Sequence, residues 1–209
     1  MTGFLLRKAI QHLRAMSMTW AATALLPLPA LLIGDAGPDV NLACVYLGLS
    51  CAWLAARFFE RAGATESRRA WCATLVANSL AVGMNVALFV ALAKLVGAKS
   101  TFPLGPKAIL AALPAVGMIP WLIARVREPF ATIVIAAILM LLAKLAGCAL
   151  ARAVYGPRFI EDGYVAGDWR SAKLMIASFW VIASGLSLAF LIAAYLSANA
   201  DDHTNVSSA

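Results

Sequence analysis

The fold this sequence predicts is all-α: a polytopic membrane protein built as a six-helix transmembrane bundle, preceded by an N-terminal amphipathic interfacial helix. Three observations predict it. The chain of 209 residues is 63% hydrophobic and 13% charged, with a mean hydropathy of +0.85. Its apolar residues fall into six runs, each near the roughly 20 residues that cross a hydrocarbon core as a helix. The breaks between runs are short and either basic or rich in Gly and Pro, as loops between spans are. Lipid offers no hydrogen-bond partner to a backbone, so each long run must be a helix and polar residues within one call for a reason. Six spans leave little chain for a soluble domain. The expected organisation is an interfacial helix over 1–15, a transmembrane domain over 16–197 and a polar tail without regular structure over 198–209.

From Phe4 to Arg14, Leu6, Ile10 and Leu13 share one helical face while Arg7, Gln11 and Arg14 share another, the pattern of a helix lying among headgroups. The first span covers 16–33 and carries Pro27 and Pro29, which should bend or unwind its outer half. An uncleaved first helix is expected, because five further spans follow. Gly34, Asp35, Gly37, Pro38 and Asp39 make a tight acidic turn into the second span, 40–58, and the third covers 71–95. Between these two lies the densest charge in the chain: Arg57, Glu60, Arg61, Glu66, Arg68 and Arg69. The fourth span, 107–123, holds Pro114 and Pro120; Arg125, Val126, Arg127, Glu128 and Pro129 then turn directly into the fifth, 130–150, and the sixth covers 173–196.

Orientation follows from the basic residues. With the N-terminus inside, Arg7, Lys8, Arg14, Arg57, Arg61, Arg68, Arg69, Arg125 and Arg127 make nine inner cations, against seven outer ones at Lys94, Lys99, Lys107, Arg152, Arg158, Arg170 and Lys173. Both termini are therefore expected on the cytoplasmic side. The net charge of +7 is accounted for by topology and headgroups, and nucleic acid is not an expected partner.

The sequence offers little to catalysis. His12 and His203 are the two histidines, and neither lies in a span, so no His pair is available to haem or metal. No Asp or Glu interrupts a span, and no nucleotide-binding or hydrolase motif occurs. Cys44, Cys51, Cys72 and Cys148 lack metal-binding spacing and read as packing residues. No catalytic residue, cofactor or metal site is expected.

Four features within or between the spans invite a second reading. Asn78 and Asn85 lie two turns apart on the third span and should face one side, either as interhelical hydrogen bonds or as a polar path or subunit interface. Lys144 in the fifth span either snorkels to the headgroups or, if the span runs past Arg152, is a buried cation in need of an anion. Gly185 and Ala189, with Ser178, Ser184 and Ser187, read as a close helix contact, or alternatively as a dimer interface. The loop over 155–170, with Tyr155, Phe159, Tyr164 and Trp169, reads as an interfacial cap.

The order of these features resembles the membrane subunit of ABC-2 type exporters: an interfacial N-terminal helix, six spans, cytoplasmic termini and a charged loop between spans two and three. Phe58, Phe59, Glu60, Arg61, Ala62, Gly63, Ala64, Thr65 and Glu66 look like that family's inner coupling loop, with Ala64 separating Gly63 from Thr65. The turn at Arg125 to Pro129 looks like its second inner turn, and 155–170 occupies the place of its outer reentrant region. The resemblance implies a permease in a bacterial inner membrane, paired as a homo- or heterodimer and driven by a separate cytoplasmic ATP-binding subunit. Glu60, Arg61, Gly63, Thr65, Glu66, Arg68 and Arg69 would then be the coupling residues. Two other readings stand beside it: a noncatalytic scaffold or accessory subunit of another membrane complex, and an autonomous carrier, for which the proline-bearing first and fourth spans speak.

Overall fold

The computed structural model describes residues 13–32, 40–62, 68–97, 104–155 and 169–200, together with 7, 10 and 11. Every element among them is a helix: α1 (Ser17–Leu25), α2 (Leu28–Leu32), α3 (Val40–Ala62), α4 (Arg68–Leu95), α5 (Leu104–Gly117), α6 (Ile119–Val126), α7 (Pro129–Tyr155) and α8 (Trp169–Ala200). Among the described residues five stretches are long and apolar enough to cross a membrane: Leu42–Arg61, Ala70–Leu95, Leu104–Val126, Pro129–Val154 and Leu174–Ser197. The described residues are thus all-helical, with the make-up of a multi-pass membrane protein. Where the sequence suggests a sixth span over 16–33, the apolar stretch is Ser17–Leu31 and shorter than the other five. Before it, the described residues from Arg7 to Ala15 have helical backbone; Leu13 packs against the core, whereas Ile10 is 40% exposed.

The breaks lie where the backbone chemistry requires them. α1 and α2 are separated at Leu26 and Pro27, where a ring nitrogen without N–H cannot continue the ladder. Pro114 is held inside α5, and Pro120 falls in the first turn of α6, where a missing N–H costs nothing. At the far end of α6, Arg127 adopts a left-handed conformation with φ of 59°, and its N–H bonds Ile123 O at 3.0 Å. Glu128 precedes Pro129 and so is steered away from helical geometry. Its carboxylate accepts from the backbone N–H of Phe130 at 3.0 Å and from that of Ala131. A C-cap and an N-cap thus follow on consecutive residues, and α6 turns into α7 with no further loop.

α3 and α5 sit at the centre and share the most extensive contact, with α7 and α8 packed on each other at the outside. Within the spanning stretches, 61% of α3 and 56% of α5 with α6 is buried, against 17% for each of α7 and α8. Small residues make the centre possible. A Cβ on Gly48 would stand 2.8 Å from Ala111 O, and one on Gly117 2.7 Å from Ser187 O, so α3 meets α5, and α5 meets α8, backbone to backbone. Ala43, Ala55, Ala56, Ala77, Ala81, Ala108, Ala112 and Ala115 fill the same core.

The Gly185 step is not one of these contacts. Gly185 has nothing within 4 Å of a would-be Cβ, and Ser184, Gly185 and Ala189 are all exposed, while Ser178 and Ser187 are buried. The close contact read at Gly185 and Ala189 is therefore corrected: α8 reaches its neighbours through the opposite face, where Ser187 opposes Gly117.

Candidate functional site

Two polar regions stand out, one at the end of α3 and one at the centre of the bundle. On α3, Trp53, Arg57 and Arg61 recur every fourth residue and so share a face. The Arg57 guanidinium lies 4.6 Å from the centre of the Trp53 ring and donates to Glu60 Oε2 at 2.8 Å. Arg61 reaches across the fold and donates from Nη1 to Ala15 O at 3.0 Å. That carbonyl closes the helical segment before Met16, whose ψ of 6° interrupts the path into α1, so Arg61 caps a carbonyl at a helix C-terminal end. Met16, Thr19, Trp53, Arg57 and Arg61 line a pocket of about 390 Å³. Phe59, Trp71 and Tyr195 form an aromatic row with centroids 6.3 and 6.4 Å apart, joining the ends of α3 and α8 to the start of α4.

At the centre, Asn78 and Asn85 are fully buried on the inner face of α4, the shared face that their spacing implies. They touch different helices. Asn78 Nδ2 donates to Ala115 O, in the last turn of α5, at 3.0 Å. Asn85 Nδ2 donates to Thr23 Oγ1 on α1 at 3.5 Å and also faces the Cys51 thiol on α3. The Thr23 hydroxyl itself donates to Trp20 O at 2.9 Å, and Ser50 donates to Leu47 O at 2.9 Å. Asn78 Oδ1, Asn85 Oδ1 and Ser187 Oγ are buried and accept no hydrogen bond within the described structure. Such a strip can accept hydrogen bonds and fix helix register; it carries no acid or base with which to move a proton.

The remaining candidate residues are dispersed. Lys144 projects from α7 as an exposed residue among exposed Leu141, Leu142 and Leu145. The helix does run past Arg152 to Tyr155, yet Lys144 is not buried by it. Arg68 and Arg69 open α4. Gly63, Thr65 and Glu66, and residues 156–168 of the cap, lie outside the described residues. All four cysteines stand as free thiols.

Sequence reasoning missed Ala15, Thr23, Ser50 and Trp53. Trp53 had a signal, the four-residue spacing to Arg57 and Arg61. Thr23 and Ser50 did not, because a hydroxyl in a span ordinarily bonds its own backbone, as both do here. Comparison with family models, curated proteins and solved structures finds no match to this chain.

Proposed function

We propose that this chain is a noncatalytic, six-pass membrane subunit that works within a larger membrane assembly. One observation carries the reading: α3 meets α5, and α5 meets α8, backbone to backbone at Gly48 and Gly117, while Arg57 and Arg61 lie at the end of α3 and Lys144 on the outer face of α7. Another chain reaches those places; a solute inside the bundle does not. A sixth passage is supported by Arg61, which joins Ala15 to the end of α3. From there α1 and α2 lead toward the opposite end, where α3 begins. The Tyr195 and Trp71 contact brings the end of α8 to the same side, in keeping with both termini facing the cytoplasm.

A permease subunit of an ATP-driven, ABC-2-like exporter is the specific form of this reading, and the Arg61 contact favours it. An ATPase pressing on the segment before α1 would move α3 with it, through one hydrogen bond between residues 46 apart. In this form Glu60, Arg61, Gly63, Thr65, Glu66, Arg68 and Arg69 receive the cytoplasmic ATPase, the 7–15 segment lies at the inner interface, and two permease chains enclose the path.

The test is a mild-detergent purification of the tagged chain from its native membrane, with stoichiometric partners identified by mass spectrometry. A soluble ATPase with a nucleotide-binding loop, at equal copy number, supports the exporter. A different membrane protein in its place supports the scaffold form. Recovery of this chain alone overturns the subunit reading and leaves an autonomous carrier.

A further inference from the structure

We propose that the pocket at the end of α3 binds the phosphate headgroup of an anionic phospholipid. The site is built from two cations on one helix face, an aromatic ring and the start of a second helix: Arg57, Arg61, Trp53, Met16 and Thr19 surround about 390 Å³, within the roughly 300–1,000 Å³ common for small-ligand pockets.

Its depth is that of the headgroups. The apolar stretch of α3 ends at Arg61, and Trp53 and Arg57 occupy the two turns before it, where amphipathic rings and guanidinium groups meet phosphate. Met16 is 2% exposed and closes the apolar side of the pocket, where the first methylenes of an acyl chain would lie.

Its charge is unbalanced. Arg57 and Arg61 are like charges one helical turn apart, an arrangement that costs stability unless an anion answers it. Glu60 answers one of them, through Arg57 at 2.8 Å; among the described residues no carboxylate pairs with Arg61, whose bond runs to the neutral Ala15 carbonyl. Each guanidinium has five N–H donors, and the described contacts use one on each. The Arg57 guanidinium carbon lies 4.6 Å from the centre of the Trp53 ring, and a guanidinium can make a two-point contact with phosphate.

The experiment places the purified chain in nanodiscs and uses Trp53 as the reporter. Brominated phosphatidylglycerol is titrated against brominated phosphatidylcholine, and the excess quenching due to the anionic lipid is read. The expected result is a preference for the anionic lipid that disappears in Trp53→Phe. Arg57→Gln and Arg61→Gln should each weaken it about fivefold, the effect of one basic residue at an anionic surface. Arg57→Gln keeps the Ala15 contact, so it reads lipid binding even if Arg61→Gln loosens α1. Arg125→Gln removes an equal charge beside a different tryptophan, Trp121 at 5.6 Å, and should change nothing.

Three results would overturn the proposal: equal quenching by both lipids, an Arg125→Gln effect as large as that of Arg57→Gln, or displacement of the brominated lipid by inorganic phosphate. The last would assign the pocket to a soluble phosphate compound. No ATPase or partner is present in the nanodisc, so failure here leaves the subunit reading standing, and failure of that reading leaves this one.

Discussion

α3 and α7 are both helices of spanning length, yet α3 is 61% buried over its apolar stretch and α7 is 17% buried, although α7 is the more hydropathic of the two. In water the order would be reversed. In a bilayer the tails are as apolar as leucine, so hydrophobicity does not select the interior; close packing and hydrogen bonds do. α3 is central because Gly48, Ala43, Ala55 and Ala56 let neighbours approach. α7 is peripheral because it offers Ile138, Leu141, Leu142 and Leu145 to the outside, where lipid receives them as readily as protein would.

The contrast can be broken first at the glycines. Gly117→Val forces two methyls against the backbone of Ser187 and should cost about 3 kcal/mol, read as a fall in the unfolding midpoint in detergent. Gly185→Val, on the outward face of the same α8 that Gly117 meets, should stay within about 0.5 kcal/mol. Equal losses at the two positions would mean that the outer face of α8 is packed as tightly as the inner one.

At the start of α7, burial contributes little and the cap contributes more. Glu128→Ala removes the acceptor for two backbone N–H groups and should cost about 1 kcal/mol, seen as faster amide exchange at Phe130 and Ala131 with α3 unchanged. In the centre, Asn78→Leu loses the bond to Ala115 O but also removes a buried oxygen that accepts nothing. The two effects oppose, so the change in stability should be below about 1 kcal/mol. A larger loss would show that Asn78 Oδ1 is engaged in the membrane-embedded protein. The smallest effect belongs to Lys144→Leu, expected within about 0.5 kcal/mol for the isolated chain. If this face meets another subunit, the same substitution lowers partner recovery from native membranes. Undiminished recovery would make the face a lipid surface only.

How much of this was legible depends on whether a property is local. The long apolar stretches, the break at Pro27 and the short turn at Arg127 and Glu128 follow from composition and from proline, and the sequence carries them openly. So does the common face of Asn78 and Asn85, since two helical turns restore direction. Which helix each amide meets is set by crossing geometry, and nothing in the spacing separates α5 for Asn78 from α1 for Asn85. The Arg61 contact with Ala15 joins residues 46 apart and is equally invisible. Gly185 misled because small residues permit close packing without requiring it. Gly117 stands between Pro114 and Pro120, and of the described glycines it makes the closest approach to a neighbouring helix.

The two-residue corner at Arg127 and Glu128 also bears on how the protein is made. A connection this short gives a nascent chain no loop in which one helix could be placed while the next is still being synthesised. α6, with α5 before it, and α7 should therefore enter the bilayer together as a hairpin, with Arg125 and Arg127 at its base. Lengthening the corner with a flexible insert would uncouple the two insertions and leave biogenesis, rather than the finished fold, as the step that suffers.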